Sequence, residues 1–307
     1  MDYSALFQMI FVFVFLIGVG FFGARRGIFG AVFSKAASFL ILHIFLLASV
    51  INSICANTGR VSKGDLGHIL LIISLSLALC YAIAWASFRL IGKRFDDPAP
   101  AELSVAVLNT LMFGLPVVQE AYGSTAVMYT GLSSVAFYAL LYTYGTWRLS
   151  AGGPDGGHFR LKDMLTPCFI GTFVALFLFI FEIPLPGAVK KLLDTTSAVT
   201  LPMSMIVIGV TLGSEDLAAA FKDKGVYLVC LIRLVISPVL VWAILRFLTA
   251  DPLLLRTAVV LAGCPTGVIV PIVSMQYGHD ATFASNCVVA TTVLALVTVP
   301  VMLFIMG

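Results

Sequence analysis

An asparagine and a threonine stand side by side at Asn109 and Thr110, followed by Gly114 and Pro116, in the otherwise mostly apolar stretch NTLMFGLPVVQEAYG, residues 109–123. An amide supplies two donors and an acceptor, and a hydroxyl supplies a donor. A proline withholds a backbone donor and clashes with the carbonyl one turn back, which costs about 3 kcal/mol in a helix interior. Such groups recognise a polar solute; they do not make or break bonds. Arg233, in VYLVCLIRLVISPVL, is the one charged side chain placed well inside an apolar run. A central arginine in a bilayer costs about 2.5–3.5 kcal/mol on insertion scales and calls for a partner facing the protein interior. That partner is either a carboxylate on a ligand, or a helix C-terminus or loop carboxylate in a static pairing. His43, in FLILHIFLLAS, is equally readable as a packing residue and as a titrating ligand. There is no HExxH and no aspartate pair within a run. The six cysteines are scattered without a CxxC spacing, so they read as small buried hydrophobes.

These residues are carried by a chain that is 60% hydrophobic and only 11% charged, far from the roughly 25% charged residues of soluble domains. Runs long enough to cross a bilayer, about 20 residues each, fall at 5–24, 31–52, 68–91, 101–120, 125–147, 164–183, 194–213, 225–248, 255–277 and 282–305. Stretches such as IFVFVFLIGVGFF do not alternate as barrel strands do. The fold class is therefore all-α, an integral membrane protein of about ten transmembrane helices, and neither a soluble catalytic module nor a nucleic-acid-binding one is visible. The first run carries Asp2 before it and Arg25 and Arg26 after it, the reverse of a signal peptide. With ten crossings and the N-terminus outside, one side receives Arg25, Arg26, Lys35, Arg89, Lys93, Arg94, Arg148, Arg160, Lys162, Lys222 and Lys224. The other keeps Arg60, Lys63, Lys190, Lys191, Arg246 and Arg256. Because cytoplasmic loops collect Lys and Arg, the expectation is a multi-pass protein of a cell (inner) membrane with both termini on the outer side.

The opening stretch has a partner. LPVVQEAYG at 115–123 and VPIVSMQYG at 270–278 share an apolar residue, Pro, a β-branched residue, Val and a terminal Tyr-Gly, at an offset of 155 residues. Each lies in the fourth run of a five-run half, 1–150 and 164–307. Between the halves, AGGPDGGHFRLKD at 151–163 reads as a cytoplasmic linker. An odd number of crossings per half turns the second copy over, which makes an inverted repeat. Inverted repeats with interrupted helices point to a secondary transporter whose site lies near the bilayer midplane. Pro116 and Pro271 predict two broken helices that cross there, their freed backbone groups lining a polar cavity. Pro238 and Pro300 read as kinks or helix ends, and Pro202 is open between the two. Tyr122 and Tyr277 read as interfacial anchors.

NTLMFGLPVVQEAYG resembles the Asn-Thr-…-Gly-x-Pro-…-Tyr-Gly segment of the auxin efflux carrier family, and GCPTGVIVPIVSMQYGHDATFASNCVVATTVLALVTVPV resembles the last two spans of that family. The family includes plant auxin carriers and bacterial carriers of malonate and related acids. The resemblance implies the fold shared with bile-acid sodium symporters and sodium/proton antiporters. A scaffold would come from spans 1–2 and 6–7, and a moving transport domain from spans 3–5 and 8–10. It also implies substrate contacts from Asn109, Thr110, Gly114, Pro116, Thr266, Gly267 and Pro271. The second span departs from the family pattern, with His43 where a proline is common, so the scaffold side of the pocket is unsettled.

Every Asp and Glu falls near a run end, as with Glu102, Glu120, Glu182 and Asp280. Exchangers of this fold hold mid-membrane carboxylates, so a cation antiporter is disfavoured, while coupling to sodium or protons stays open. The expected function is alternating-access transport of a small organic anion, a malonate-type dicarboxylate or related acid, without a cofactor. An auxin-like aromatic acid carrier and a non-transporting membrane sensor are the alternatives. The expected partners are the anion, membrane lipid and, as an open question, a second copy in a homodimer, with no nucleic acid. Asn109→Ala and Pro271→Ala are both expected to abolish flux.

Overall fold

A computed structural model describes residues 3–59, 61–151 and 166–306, with side chains from residue 7 onward. The linker read at 151–163 lies outside these residues except for Ala151. Among the described residues the chain is helical throughout, with no strand beyond one isolated antiparallel bridge. Among the described residues, seven helices are long and apolar enough to cross a membrane. They are α1 (Tyr3–Arg25), α2 (Ala31–Ala56), α3 (Lys63–Arg94), α6 (Ser124–Ser150), α8 (Gly187–Ser214), α10 (Lys224–Leu245) and α13 (Thr282–Met306). Shorter pieces lie between them: α4 (Pro98–Ala106), α5 (110–122), α7 (Pro167–Ile180), α9 (Leu217–Ala220), α11 (Pro252–Ala262) and α12 (Ile269–Gln276).

The helices fold together by the usual rules of a bilayer, where lipid offers no hydrophobic drive between helices and close packing must hold them. On α1 the residues Met9, Phe13 and Ile17 recur every four positions and are buried, whereas Phe7, Phe11, Phe15 and Phe22 are exposed on other faces. The buried stripe lies on α8, against Met205, Ile208 and Leu212. Two glycines set the distance. A Cβ on Gly20 would stand 2.0 Å from the Ile206 carbonyl oxygen, and one on Gly209 would stand 2.0 Å from that of Ile17. Backbone therefore touches backbone at this crossing, and any side chain would force the helices apart.

Helices α2 and α8 meet through polar groups. Helix α2 widens to a π-turn over Ile41–Phe45, and α8 bends at Ala198 and Val199. At the bend the Thr200 hydroxyl donates to the Phe45 carbonyl (3.0 Å) and lies 2.7 Å from the Ser49 hydroxyl. The Asn52 amide donates to Asp194 and Ser197. Hydrogen bonds of this kind are worth about 0.6–2 kcal/mol each between membrane helices, and here they also fix the register of the bend.

The run boundaries read from the sequence agree with the helix ends to within a few residues, except that the fourth and ninth runs are each two helices and the helix of the seventh run, read from 194, begins at Gly187. The repeated Tyr-Gly has a backbone cause. Gly123 (φ 77°) and Gly278 (φ 79°) follow the ends of α5 and α12 in the left-handed region, which glycine enters without the Cβ penalty. The tyrosines beside them turn inward and do not mark an interface: Tyr277 is buried and the Tyr122 hydroxyl is enclosed.

Candidate functional site

The site begins where α4 and α11 stop. After Ala106 the backbone becomes extended at Val107 (φ −91°, ψ 120°), and after Ala262 it runs irregularly from Gly263 to Val268. The two gaps lie against each other. The Asn109 N–H donates to the Pro265 carbonyl (2.9 Å) and the Gly267 N–H to the Val107 carbonyl (2.9 Å), which makes the bridge between Leu108 and Thr266. Unpaired backbone groups in hydrocarbon cost several kcal/mol each. Two interrupted helices that cross can settle that cost by pairing with each other.

This corrects the sequence reading in two ways. The interruptions are at 107–109 and 263–268, seven residues before Pro116 and three before Pro271, so neither proline is the break. The exposed backbone groups are also largely consumed by the bridge, which shifts the burden of recognition onto side chains. Pro116 is accommodated by the turn ahead of it. Gly114 and Leu115 donate to Asn109 and Thr110, five residues back, and the register narrows to the α pattern at the proline. The wider π-turn takes up the missing donor. The same device precedes Pro238, where Ser237 donates to Ile232, again five residues back. Pro300 lies inside α13, which continues past it to Met306, and Pro202 is in the first turn after the bend of α8.

Asn109 is buried, and its amide has no hydrogen-bond partner among the described residues. It lines a cavity of about 20 Å³ with Met112, Val268, Val288, Thr292 and, on α8, Val207, Ile208, Thr211 and Leu212. That is room for about one water. The Thr211 and Thr292 hydroxyls already donate to the Val207 and Val288 carbonyls. The Thr110 hydroxyl is buried without a partner. Thus, among the described residues, the first crossing segment contributes two unsatisfied side chains, one at the end of its break and one at the start of the helix that follows.

The other predicted residues divide by role. Thr266 is a brace: its hydroxyl donates to the Ser104 carbonyl (2.6 Å) and its N–H to the Thr291 hydroxyl (3.0 Å). Gly114 and Gly267 are close contacts, since a Cβ on Gly114 would stand 2.9 Å from Cys264 Sγ and one on Gly267 3.1 Å from Val107. Pro116 is buried beneath the crossing, and Pro271 is half-buried in the first turn of α12. His43 is not brought to the crossing. Its Nδ1 bonds to the Phe39 carbonyl and its ring stacks on Phe39, both within α2.

Arg233 is completely buried on the π-turn of α10, beside Cys80, Tyr81 and Cys264. Among the described residues none of its three guanidinium nitrogens makes a hydrogen bond of regular geometry, the Cys80 thiol beside it being only a weak acceptor, and the nearby Tyr81 and Ser237 hydroxyls are likewise unpartnered. Taking a cation out of water costs several kcal/mol. The ends of α4 and α11 carry partial negative charge, about half an elementary charge each, and they stop at the crossing near Cys264. They offset part of that cost.

Sequence reasoning missed a buried triad. Glu102, placed near a run end, is buried within α4; it forms an ion pair with Arg148 (2.7 Å) and accepts from the Tyr144 hydroxyl. It also missed Thr211, on the far wall of the cavity. The only sequence trace of these is a polar residue at an inward helical position, which periodicity cannot distinguish from a lipid-facing one when nearly every neighbour is apolar.

A polar pocket at the crossing of two interrupted helices, enclosed in an all-helical membrane body, defines a class of integral membrane protein built around a buried polar site. Residues 156–303 match the family described as membrane transport protein. An uncharacterized transporter of Methanothermobacter thermautotrophicus is 22% identical over 291 residues, 93% of each chain. One of Methanocaldococcus jannaschii is 21% identical over 300 residues, 95% of this chain and 96% of that one. A protein of Rhizobium meliloti named "Putative malonate transporter" is 34% identical over 142 residues, 45% of this chain and 43% of its own. The family match spans a little under half of the chain, and together with these relatives it is in keeping with the resemblance read from the sequence. The family and these relatives are transporters and not enzymes.

Proposed function

We propose that the protein carries a small organic anion, a malonate-type dicarboxylate or a related carboxylic acid, across the cell membrane by alternating access. The observation that carries this reading is the unpartnered Asn109 amide at the crossing, facing α8 across a cavity too small for any such anion. A site of that kind is occluded, and it admits substrate only when the crossing and α8 move apart. The Thr110 hydroxyl and the Arg233 guanidinium add donors suited to a carboxylate. The printed name of the Rhizobium relative favours malonate over an aromatic acid.

Ten crossings in two inverted halves account for which loops meet. Lys63 pairs with Glu182 (2.7 Å) and Asn57 with Thr125, joining loops that this topology puts on one face. Arg25 bonds to the Glu215 carbonyl and His279 to Asp97, joining loops that it puts on the other. In this reading α1, α2, α7 and α8 form the scaffold, and the remaining helices form the moving domain. The greater share of Lys and Arg puts the second face in the cytoplasm and both termini outside.

Reconstitution tests the proposal. Proteoliposomes would be assayed for uptake and counterflow of malonate, malate, lactate and indole acetate under imposed sodium or proton gradients. Saturable malonate or malate flux is expected. Flux of indole acetate alone would move the substrate to an aromatic acid. Folded protein that moves none of the four would point to a sensor and overturn the carrier.

A further inference from the structure

A histidine away from the cavity ties three elements together. His279 lies in the turn between α12 and α13, and its side chain is 5% exposed. Its Nδ1 is 2.6 Å from Asp97 Oδ2 and its Nε2 is 2.9 Å from the Leu149 carbonyl oxygen. Asp97 immediately precedes α4, and Leu149 is in the last turn of α6. One imidazole therefore joins the entry of the first interrupted helix, the end of the helix after it, and the exit of the second interrupted helix.

The hydrogen count of this arrangement is fixed by chemistry. A carbonyl only accepts, so Nε2 must carry hydrogen; an ionised carboxylate only accepts, so Nδ1 must carry one too. A neutral ring has one such hydrogen. The clamp as built thus holds one proton more than a neutral histidine and an ionised aspartate standing apart, whichever of the two keeps it. Around it, Arg94 and Asp96 precede Asp97, Asp223 and Lys224 open α10, and Asp280 shares the His279 turn, all lining one cleft. Arg148, beside Leu149, is engaged by Glu102. Asp223 accepts from the Gly225 N–H. The Thr282 N–H and hydroxyl hold the Asp280 carboxyl below the usual range, so it stays ionised.

The opposite face has a counterpart built without an imidazole. Asp251 immediately precedes α11, as Asp97 precedes α4, and accepts from the Tyr129 hydroxyl (3.1 Å) of the other half. Each interrupted helix begins at an aspartate held from the other half. Only one holder is an imidazole, the side chain whose charge changes between about pH 5 and 8.

We propose that His279 and Asp97 form a proton-binding latch that closes one cleft of the molecule: the bound proton holds the cleft shut, and its loss lets the cleft open. The proton stabilises the closed form, so latching is complete in acid and is lost as pH rises. All the joined elements belong to the moving domain of the carrier reading, so the latch sets the packing within that domain and neither parts it from the scaffold nor powers the cycle. Its meaning for transport rests on that reading, but the latch itself can be measured without transport.

The test uses the full chain in nanodiscs with ¹⁵N-imidazole histidine, the His279 signal being assigned by its loss in His279→Gln. A ring protonated at both nitrogens in acid, converting to a singly protonated ring as pH rises, is expected. Nitroxides on cysteines at the exposed positions 93 and 222, across the cleft, should separate with the same pH dependence. His279→Gln should abolish that pH response. Asp97→Asn offers an acceptor to the protonated ring and a donor to the neutral one, so it should hold the cleft shut across the pH range. A ring singly protonated throughout, or a pH-dependent separation that survives in His279→Gln, would overturn the latch even if malonate is transported. Absence of carboxylate flux would leave these readouts decisive for the latch while removing the carrier.

Discussion

The two interruptions are alike in backbone and unlike in side chains. Each gap pairs its backbone with the other across one antiparallel bridge, and each following helix ends in a glycine of positive φ. At the first gap, Asn109 and Thr110 keep an amide and a hydroxyl without partners. At the second, Thr266 spends its hydroxyl and its N–H on Ser104 and Thr291. In the proposed carrier the two gaps would divide the work, the first recognising the anion and the second bracing. A buried polar group left unpaired costs about 1–3 kcal/mol, a cost that a bound ligand would offset.

That division can be broken by exchanging the expected phenotypes. Asn109→Ala should lower carboxylate uptake at least tenfold, since one or two hydrogen bonds to a charged acceptor are worth about 1.5–3 kcal/mol each. Thermal unfolding of the purified protein should stay unchanged, because the amide bonds to nothing described inside the fold. A marked loss of stability would make Asn109 a brace as well. Thr266→Val should do the opposite: it removes one buried bond, at about 1–3 kcal/mol, and a lower melting temperature in detergent should accompany near-normal ligand binding in the protein that remains folded. Equal melting temperatures for Thr266→Val and the parent would deny the brace. Pro271→Ala should have the smallest effect, flux within about threefold of the parent, because a residue in the first turn has no intrahelical partner for its N–H in any case. This departs from the loss of flux that the proline motif suggests on its own, and flux assays on the single variant decide between them.

The membrane class and helix limits were legible because apolar length is a local quantity. The duplicated Pro-x-Val…Tyr-Gly motif also led to the right two helices. Its prolines pointed a few residues too far along, since a π-turn absorbs Pro116 while the break falls where the other chain segment offers backbone partners. Asn109 was legible as a polar residue out of place. Glu102 and His279 were not, since a charge near a run end looks solvated until its neighbours are known.

From composition and spacing alone, the chain determined that it is a membrane-spanning helical protein, that a Pro-x-Val…Tyr-Gly motif recurs, and that polar groups interrupt the fourth and ninth runs. The tertiary structure decided which of those groups remain open to a ligand. Hydrogen bonds such as those of Thr266 to Ser104, and of His279 to Asp97 and Leu149, join residues more than a hundred positions apart. Whether a donor is spent or free depends on partners that meet only when the helices cross.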